Sequence, residues 1–214
     1  DKELERRGLP FVRYADDSMI FYKTKRAARR VKESITRFIE GTLYLKVNKE
    51  KTVVSYVQGV KYLGYSFYVM KGKCRLTVHP KSKAKMKSRL KELTNRSNGW
   101  GYVKRKQKLK EYIRGWIGYY HLADMKRFLL DTDEWLRRRI RMCIWKAWKK
   151  PKTKVANLIK CGIEKYNAWE WGNTRKGYWR IADSPILKVA INNDSLRKAG
   201  YPTLMGSYLG WHPK

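Results

Sequence analysis

Residues 11–22 read FVRYADDSMIFY. Two adjacent aspartates, Asp16 and Asp17, interrupt two apolar and aromatic runs, with Phe11 and Val12 before them and Met19, Ile20, Phe21 and Tyr22 after. Such runs favour extended backbone, and the polar break between them favours a tight turn. The pattern predicts a short hairpin with two carboxylates at its tip. Carboxylates held together repel unless a cation lies between them, and hard divalent ions with oxygen ligands, Mg²⁺ above all, fill that place. A pair of such ions clamps the attacking and leaving oxygens in phosphoryl and nucleotidyl transfer. Asp-Asp alone is ordinary turn chemistry. Tyr14-Ala15-Asp16-Asp17 between two strand-like runs favours metal ligation.

The rest of the composition names the substrate class. Against 51 Lys and Arg stand 18 Asp and Glu, a net charge of +33 at pH 7. A field of this size attracts polyanions and speeds their arrival, and phosphate backbone is the partner it suits. Nine Trp and fifteen Tyr beside so many cations supply platforms on which bases can stack. No run approaches the roughly 18 apolar residues of a membrane helix. Hydrophobic residues make up 43%, too many for disorder and enough for a packed core. Cys74, Cys143 and Cys161 lie far apart, so neither a disulfide framework nor a zinc spacing is present. They are expected as reduced thiols in or near the core. His79, His121 and His212 are equally dispersed and receive no ligand role.

Periodicity divides the chain in two. Ala28, Val31, Ile35, Phe38 and Ile39 share one face of a helix expected over about 25–40, which Gly41 can end. A strand or turn follows around Leu43, Leu45 and Val47. Strands are expected at Thr52–Val57 and Lys61–Tyr68, then a turn at Lys71-Gly72-Lys73 and a strand from Cys74 to Val78. After Pro80 the pattern turns helical. Three amphipathic helices are expected, at about 81–95, 103–120 and 133–149. The first has a stripe of Met86, Leu90 and Leu93. The second buries Leu109, Tyr112, Ile113, Trp116, Ile117 and Tyr120. The third buries Leu136, Ile140, Cys143, Ile144 and Ala147, with Asp133 near its start and Lys149 and Lys150 at its end to suit the helix dipole. Pro151 stops it. Three such helices read as a bundle. Beyond it, Val155–Cys161 is a short helix, Asn167–Trp179 a loop, Ser184-Pro185 a helix start, and another helix begins near Asn193 and ends at Gly200. Bundle and tail are expected to share a core. The fold class is α+β: small antiparallel hairpins with a helix, about 1–80, followed by a mainly helical region, about 81–214.

Several stretches resemble one family in order. Tyr14-Ala15-Asp16-Asp17 on a hairpin resembles the palm motif of reverse transcriptases. LYLKVNKEKT at 43–52 resembles the next palm block, and YLGYSF at 62–67 the hairpin that grips the primer end. RRRIRMCIWKAWKKPKT at 137–153 and RKGYWRIADSPIL at 175–187 resemble the maturase domain of group II intron proteins. Retroviral and retron-type enzymes share the aspartates without that tail; a relative associated with CRISPR systems is a further alternative, as is a splicing factor that only binds RNA.

The resemblance implies a partial polymerase palm followed by a thumb and maturase bundle. It implies RNA-directed DNA synthesis with two Mg²⁺ ions, or Mn²⁺ in their place, on an RNA template–DNA primer duplex with deoxynucleotides, and binding of the group II intron RNA to assist splicing. Asp16 and Asp17 would be the metal ligands, with Asp16 touching both ions. Tyr14 and Ala15 would lie by the primer end or incoming nucleotide. The family block has an Asn and, three residues later, a Lys; Asn48 and Lys51 match it. Lys51 is then the candidate general acid at the pyrophosphate, and Lys49 the next. Tyr62, Leu63, Gly64 and Tyr65 would grip the primer. The thumb lysines Lys81, Lys83, Lys85 and Lys87 would hold duplex. Arg137, Arg138, Arg141 and Lys149, interleaved with Trp145 and Trp148, and the cluster Arg175, Lys176, Arg180 with Tyr178 and Trp179, would contact intron RNA. Family palms need a further aspartate on an upstream strand, and nothing in residues 1–10 resembles a strand ending in one; Asp1 opens a polar, helix-like stretch. The chain is therefore expected to be the C-terminal half of a larger enzyme, inactive alone and completed by its N-terminal half. The expected location is a ribonucleoprotein in the bacterial cytoplasm, away from membranes.

Overall fold

The aspartate hairpin forms as the sequence predicts. In the computed structural model, which describes residues 1–212, strand β1 (Phe11–Tyr14) pairs antiparallel with β2 (Asp17–Ile20). The register sets Phe11 opposite Ile20 and Tyr14 opposite Asp17, so Ala15 and Asp16 make a two-residue turn. Hairpin turns of this length follow strand twist best with positive φ, and Ala15 adopts φ 53°. The hairpin belongs to the first of two units, Asp1–Thr77 and Val78–Lys214.

The rest of the first unit is held by local bonds and half-buried faces. Helix α1 (Lys2–Arg6) precedes the hairpin. Arg7 reaches from its end to Ser34 at 2.7 Å. That serine lies on α2 (Lys25–Gly41), whose N-terminus is capped by the Thr24 hydroxyl accepting from the Ala27 N–H. Ala28, Val31, Ile35, Phe38 and Ile39 form the inward face as expected, each half-buried rather than sealed. Gly41 is the last helical residue and Thr42 the cap.

The strand expected at Thr52–Val57 is absent: the backbone there is irregular and enters a 3₁₀ turn at Val57–Gly59. Its apolar residues lack a neighbouring edge, and Val53 and Tyr56 are exposed. The next strand, β3 (Tyr65–Met70), starts later than the alternation from Lys61 predicts. The chain must first pass the Leu63-Gly64 turn, at φ 50° and 82°. Lys71-Gly72, at 50° and 72°, joins β3 to β4 (Lys73–Val78). The two hairpins form separate two-stranded sheets.

The second unit holds nearly all of the sealed core. Helix α3 (Pro80–Leu93) buries Met86, Leu90 and Leu93, the stripe read from sequence. Helix α4 (Tyr102–Tyr120) buries Leu109, Ile113 and Ile117, and Arg105 with them. Helix α5 (Lys126–Ala147) starts seven residues before the expected 133. Asp133 is thus inside the helix and buried, not at its dipole end. Ala147 is exposed, while Met142 and Trp145 are buried in its stead.

The tail shares this core. Helix α6 (Pro151–Lys160) begins at the proline that ends α5. It packs closely on α7 (Lys165–Gly172), where a side chain at Gly172 would strike Val155. The loop expected over Asn167–Trp179 is therefore partly helical, and α8 (Tyr178–Ile181) follows it. Ser184 caps α9 (Pro185–Ala190) as predicted, and α10 (Asn193–Lys198) starts at the expected Asn193, capped by Asn192, and ends two residues before the expected Gly200. A further helix, α11 (Leu204–Leu209), packs on α4 and α5. Its first N–H groups, from Leu204 and Met205, donate to the two carboxylate oxygens of Asp133 at 2.8 and 2.9 Å. Of the cysteines only Cys143 is in the core; Cys74 and Cys161 are exposed, against expectation.

Candidate catalytic hairpin and nucleic-acid interface

Asp16 and Asp17 are exposed, and neither side chain has a hydrogen-bond or ion-pair partner among the described residues. The cation nearest in sequence, Arg13, is used otherwise. Its Nε donates to the Ala15 carbonyl at 2.9 Å and its Nη1 pairs with Asp1 at 3.0 Å. The turn is thus braced by an arginine that leaves both carboxylates open. Two free carboxylates suit Mg²⁺, which binds one or two protein carboxylates and takes its other oxygens from phosphates and water. No group of three or more His, Cys, Asp or Glu side chains fit to hold a metal occurs among the described residues. The Tyr14 side chain is 64% exposed beside them, and Ala15 occupies the turn itself.

The other palm candidates have local structural roles. The Asn48 side-chain oxygen accepts the Lys51 N–H at 3.0 Å, and its carbonyl accepts the Thr52 N–H at 3.0 Å. The Asn-to-Lys spacing therefore caps one helical turn and presents Lys51 on an exposed position. Tyr62 and Tyr65 exchange both main-chain hydrogen bonds across Leu63-Gly64, at 3.1 and 2.9 Å. The Tyr62 hydroxyl is buried with no hydrogen-bond partner. A groove of about 490 Å³ runs beside α2, lined by Lys25, Arg29, Lys32, Glu33, Val53 and Val54.

In the second unit the structure sorts the basic residues that sequence grouped together. Lys81, Lys85 and Lys87 on α3 are exposed and Lys83 is half-buried. Lys83 and Lys87 hold their ammonium groups 5.2 and 5.8 Å from the Phe128 ring. Arg141 is withdrawn from the surface. It is 6% exposed, and its guanidinium donates to the Ile191 carbonyl at 2.8 Å and Asn193 Oδ1 at 3.0 Å. It fastens the tail to α5, so the guanidinium expected at RNA is spent within the fold. Trp145, expected to stack on RNA, is 2% exposed and covered by the Lys154 ammonium at 4.8 Å. Trp148 is half-buried against it. Arg137 is half-buried, and Lys149 stands exposed at φ 34° after the helix.

Two clusters that sequence keeps about forty residues apart meet in space. Arg138 on α5 stacks over the Trp179 ring at 4.0 Å, donates twice to the Trp179 carbonyl at 3.2 and 2.9 Å, and pairs with Asp183 at 3.1 Å. The Asp183 carboxyl lies below its ordinary range, chiefly through a hydrogen bond from Lys188 and then through Arg138. Nearby Arg175, Lys176 and Arg180 are exposed, and the Lys176 ammonium sits 4.7 Å from the Trp171 ring.

Beside this junction is a groove of about 460 Å³, lined by Lys91, Glu92, Asn95, Arg96, Arg139, Met142 and Trp179. Arg139 is fixed in it by bonds to the Thr94 hydroxyl at 2.6 Å and to the carbonyls of Lys91 and Thr94 at 3.0 and 3.1 Å. These close the C-terminal end of α3, and burial lowers the guanidinium's pKa. Arg96, absent from the sequence-derived set, stacks over Tyr178 at 4.9 Å. It lies in the turn-like run NRSNG, where no periodicity marks a lone arginine.

The described residues include no helix long and apolar enough to cross a membrane. No curated protein matches the chain. Two family models do. Reverse transcriptase (RNA-dependent DNA polymerase) matches residues 1–67, and the group II intron maturase-specific domain matches residues 83–162. The aspartate hairpin lies inside the first match, and the first three helices of the second unit lie largely inside the second. With both matches in this order along most of its length, the chain belongs to the group II intron reverse transcriptase/maturase family.

Proposed function

We propose that this chain carries metal-binding aspartates of an RNA-directed DNA polymerase on residues 1–80, and a thumb and maturase surface for intron RNA on residues 81–214. The observation that carries the reading is the pair of exposed carboxylates left without a cation in a chain of net charge +33. Asp16 and Asp17 would hold Mg²⁺, or Mn²⁺ in its place. When bound, the ions supply charge neutralisation at the attacking and leaving oxygens. The chain's own residues do the positioning. The β1–β2 ladder sets the two aspartates at the hairpin tip, and Arg13 braces the turn. Ala15 leaves room beside the new base pair, and Tyr14 presents an open ring to the primer end or deoxynucleotide. Lys51, directed outward from the Asn48-capped turn, would place an ammonium at the departing pyrophosphate. The Tyr62–Tyr65 turn would support the primer strand. Lys81, Lys83, Lys85 and Lys87 would hold the template–primer duplex, and Arg138, Arg175, Lys176 and Arg180 the intron RNA in a ribonucleoprotein.

Primer extension on an RNA template, with the complete protein, tests the metal reading. Asp16→Asn should abolish extension and leave RNA affinity near wild type, since one charge barely changes so large a field. Normal extension by the variant would overturn the metal site. Unimpaired splicing with no extension in the unaltered protein would support the second reading, an RNA-binding splicing factor.

A further inference from the structure

The groove at the end of α3 differs from a general basic surface in having a wall for a base as well as sites for phosphate. It is open to solvent, and its volume of about 460 Å³ is large enough to admit a flat ring. Three cations line it, Lys91, Arg96 and Arg139, against one acid, Glu92. Glu92 is drawn off by Arg89 at 2.6 Å, so the groove is open to an anion. Arg139 is immobilised by three bonds to α3, which gives the positive wall a fixed position at little further entropy cost.

The aromatic wall is equally fixed. Trp179 is 38% exposed. Arg138 stacks on its ring at 4.0 Å and also grips its main-chain carbonyl. A flat cation on an indole leaves the rest of the ring surface as a stacking platform, and Arg and Trp side chains are the ones on which unpaired bases stack. Met142 adds a polarisable apolar floor. At the rim, Asn95 uses its side-chain oxygen to accept the Ser97 N–H at 2.9 Å, which leaves its amide N–H groups as donors toward a base edge.

We infer that this groove captures a single unpaired nucleotide of bound RNA, its base stacked on Trp179 and its phosphate between Lys91 and Arg96. The inference rests on the RNA-binding reading of the second unit and adds a requirement to it. A paired base cannot enter, because both its faces are stacked within the helix. The occupant is therefore a bulged, looped or splayed residue, and the groove senses RNA structure as well as charge.

The test compares three RNAs of one sequence bound to the full chain: a perfect hairpin, the same hairpin with a one-nucleotide bulge, and the bulged form with an abasic residue at the bulge. The bulged RNA should bind about tenfold or more tighter than the abasic form, as expected for one base–aromatic stack. Trp179→Ala should shrink that ratio toward one, and Trp179→Phe should restore most of it. The RNA-side comparison needs no altered protein, so a poorly folded Trp179→Ala still leaves the inference exposed to refutation. Equal binding of bulged and abasic RNA by the unaltered chain would overturn the inference and leave the RNA-binding reading standing. An undiminished ratio in a folded Trp179→Ala would also overturn it. Failure of the unaltered chain to bind any of the three would refute the RNA-binding reading itself.

Discussion

The two units solve opposite problems. Among the described residues, Leu9 is the only sealed apolar side chain before residue 78, whereas the helical unit encloses more than a score of them, from Val78 to Tyr208. The first unit leaves Tyr14, Phe21, Tyr22, Leu43, Tyr44, Leu45, Val53 and Tyr56 exposed with no such core beneath them. Its hairpins hold by main-chain ladders and tight turns, and its two carboxylates are left unpaired. In the second unit even polar groups are committed: Asp133, Arg139 and Arg141 are spent on main-chain groups of distant segments. The grooves differ in the same way. Lys25, Arg29 and Lys32 line one without an aromatic ring, whereas the other adds Trp179. The first suits backbone phosphate of any sequence, and the second suits phosphate and base together. A catalytic hairpin needs open ligands; a recognition surface needs side chains fixed by a core.

The sharpest break between the units is the cost of losing an aspartate. Asp133→Ala strips an acceptor from two N–H groups at the start of α11, one of them buried. Unsatisfied buried donors cost about 1–3 kcal/mol each, so the second unit should lose about 2–4 kcal/mol in a denaturant titration. Asp17→Ala removes a group with no partner and should change stability by less than about 0.5 kcal/mol. Comparable losses at both positions would mean that the hairpin aspartates are structural.

Salt dependence separates the basic clusters of the second unit next. Changing Arg175, Lys176 and Arg180 to Ala should weaken intron binding and flatten the log–log salt slope by up to about 0.9 per lost duplex contact, and by about 0.7 per single-strand contact. Extension on a generic primer–template should survive, because on the proposed reading that duplex is held by Lys81, Lys83, Lys85 and Lys87. An unchanged slope with lost stability would make these three residues structural. Equal loss of splicing and extension would show one continuous surface.

How much of this was legible in the sequence follows from the range of the forces involved. Asp16 and Asp17, the Met86–Leu90–Leu93 stripe and the Ser184-Pro185 start are local signals, and each stands where the sequence places it. Arg138 and Arg141 look alike on paper, three residues apart in one basic run. What separates them is that Arg141 meets the carbonyl of Ile191, fifty residues on, while Arg138 meets a tryptophan ring. No periodicity carries that information. Asp133 misleads similarly: it reads as a helix-start acid, yet it serves another helix's N-terminus. Thr52–Val57 fails as a strand because alternation predicts a face and supplies no neighbouring edge.

Turn strain gives a smaller contrast, concentrated in the first unit, where Ala15, Tyr44, Leu63 and Lys71 take positive φ against Lys149 in the second. Lys71 is exposed at φ 50° before Gly72, where a side-chain-bearing residue costs about 1–2 kcal/mol relative to glycine. Asparagine tolerates this conformation well. Lys71→Asn should therefore stabilise the β3–β4 hairpin by up to about 1 kcal/mol, seen as slower amide exchange across that pair. Slower exchange in the helical unit as well would show that the two units unfold as one.

The smallest expected effects are those of pH, and they oppose each other within one unit. Burial raises the Asp133 pKa above its ordinary 3.8, the two main-chain N–H bonds only partly offsetting it. The folded state then holds this proton more tightly than the unfolded chain. Its contribution to stability is greatest below 3.8 and declines as pH rises toward the folded value. Asp183 has the reverse sign. Lys188 first and Arg138 after it depress its pKa, so its contribution is present above 3.8 and is lost as pH falls through the folded value. Its side chain is 43% exposed, and solvent screening holds the contribution below about 1 kcal/mol. Denaturation midpoints measured from pH 6 downward should show Asp183→Asn weaker than wild type at the upper end, with the gap closing as the wild-type carboxylate protonates. A gap that widened on acidification would mean that the ion pairs of Asp183 with Lys188 and Arg138 do not stabilise the junction, and that Trp179 is held by its direct contacts with Arg138.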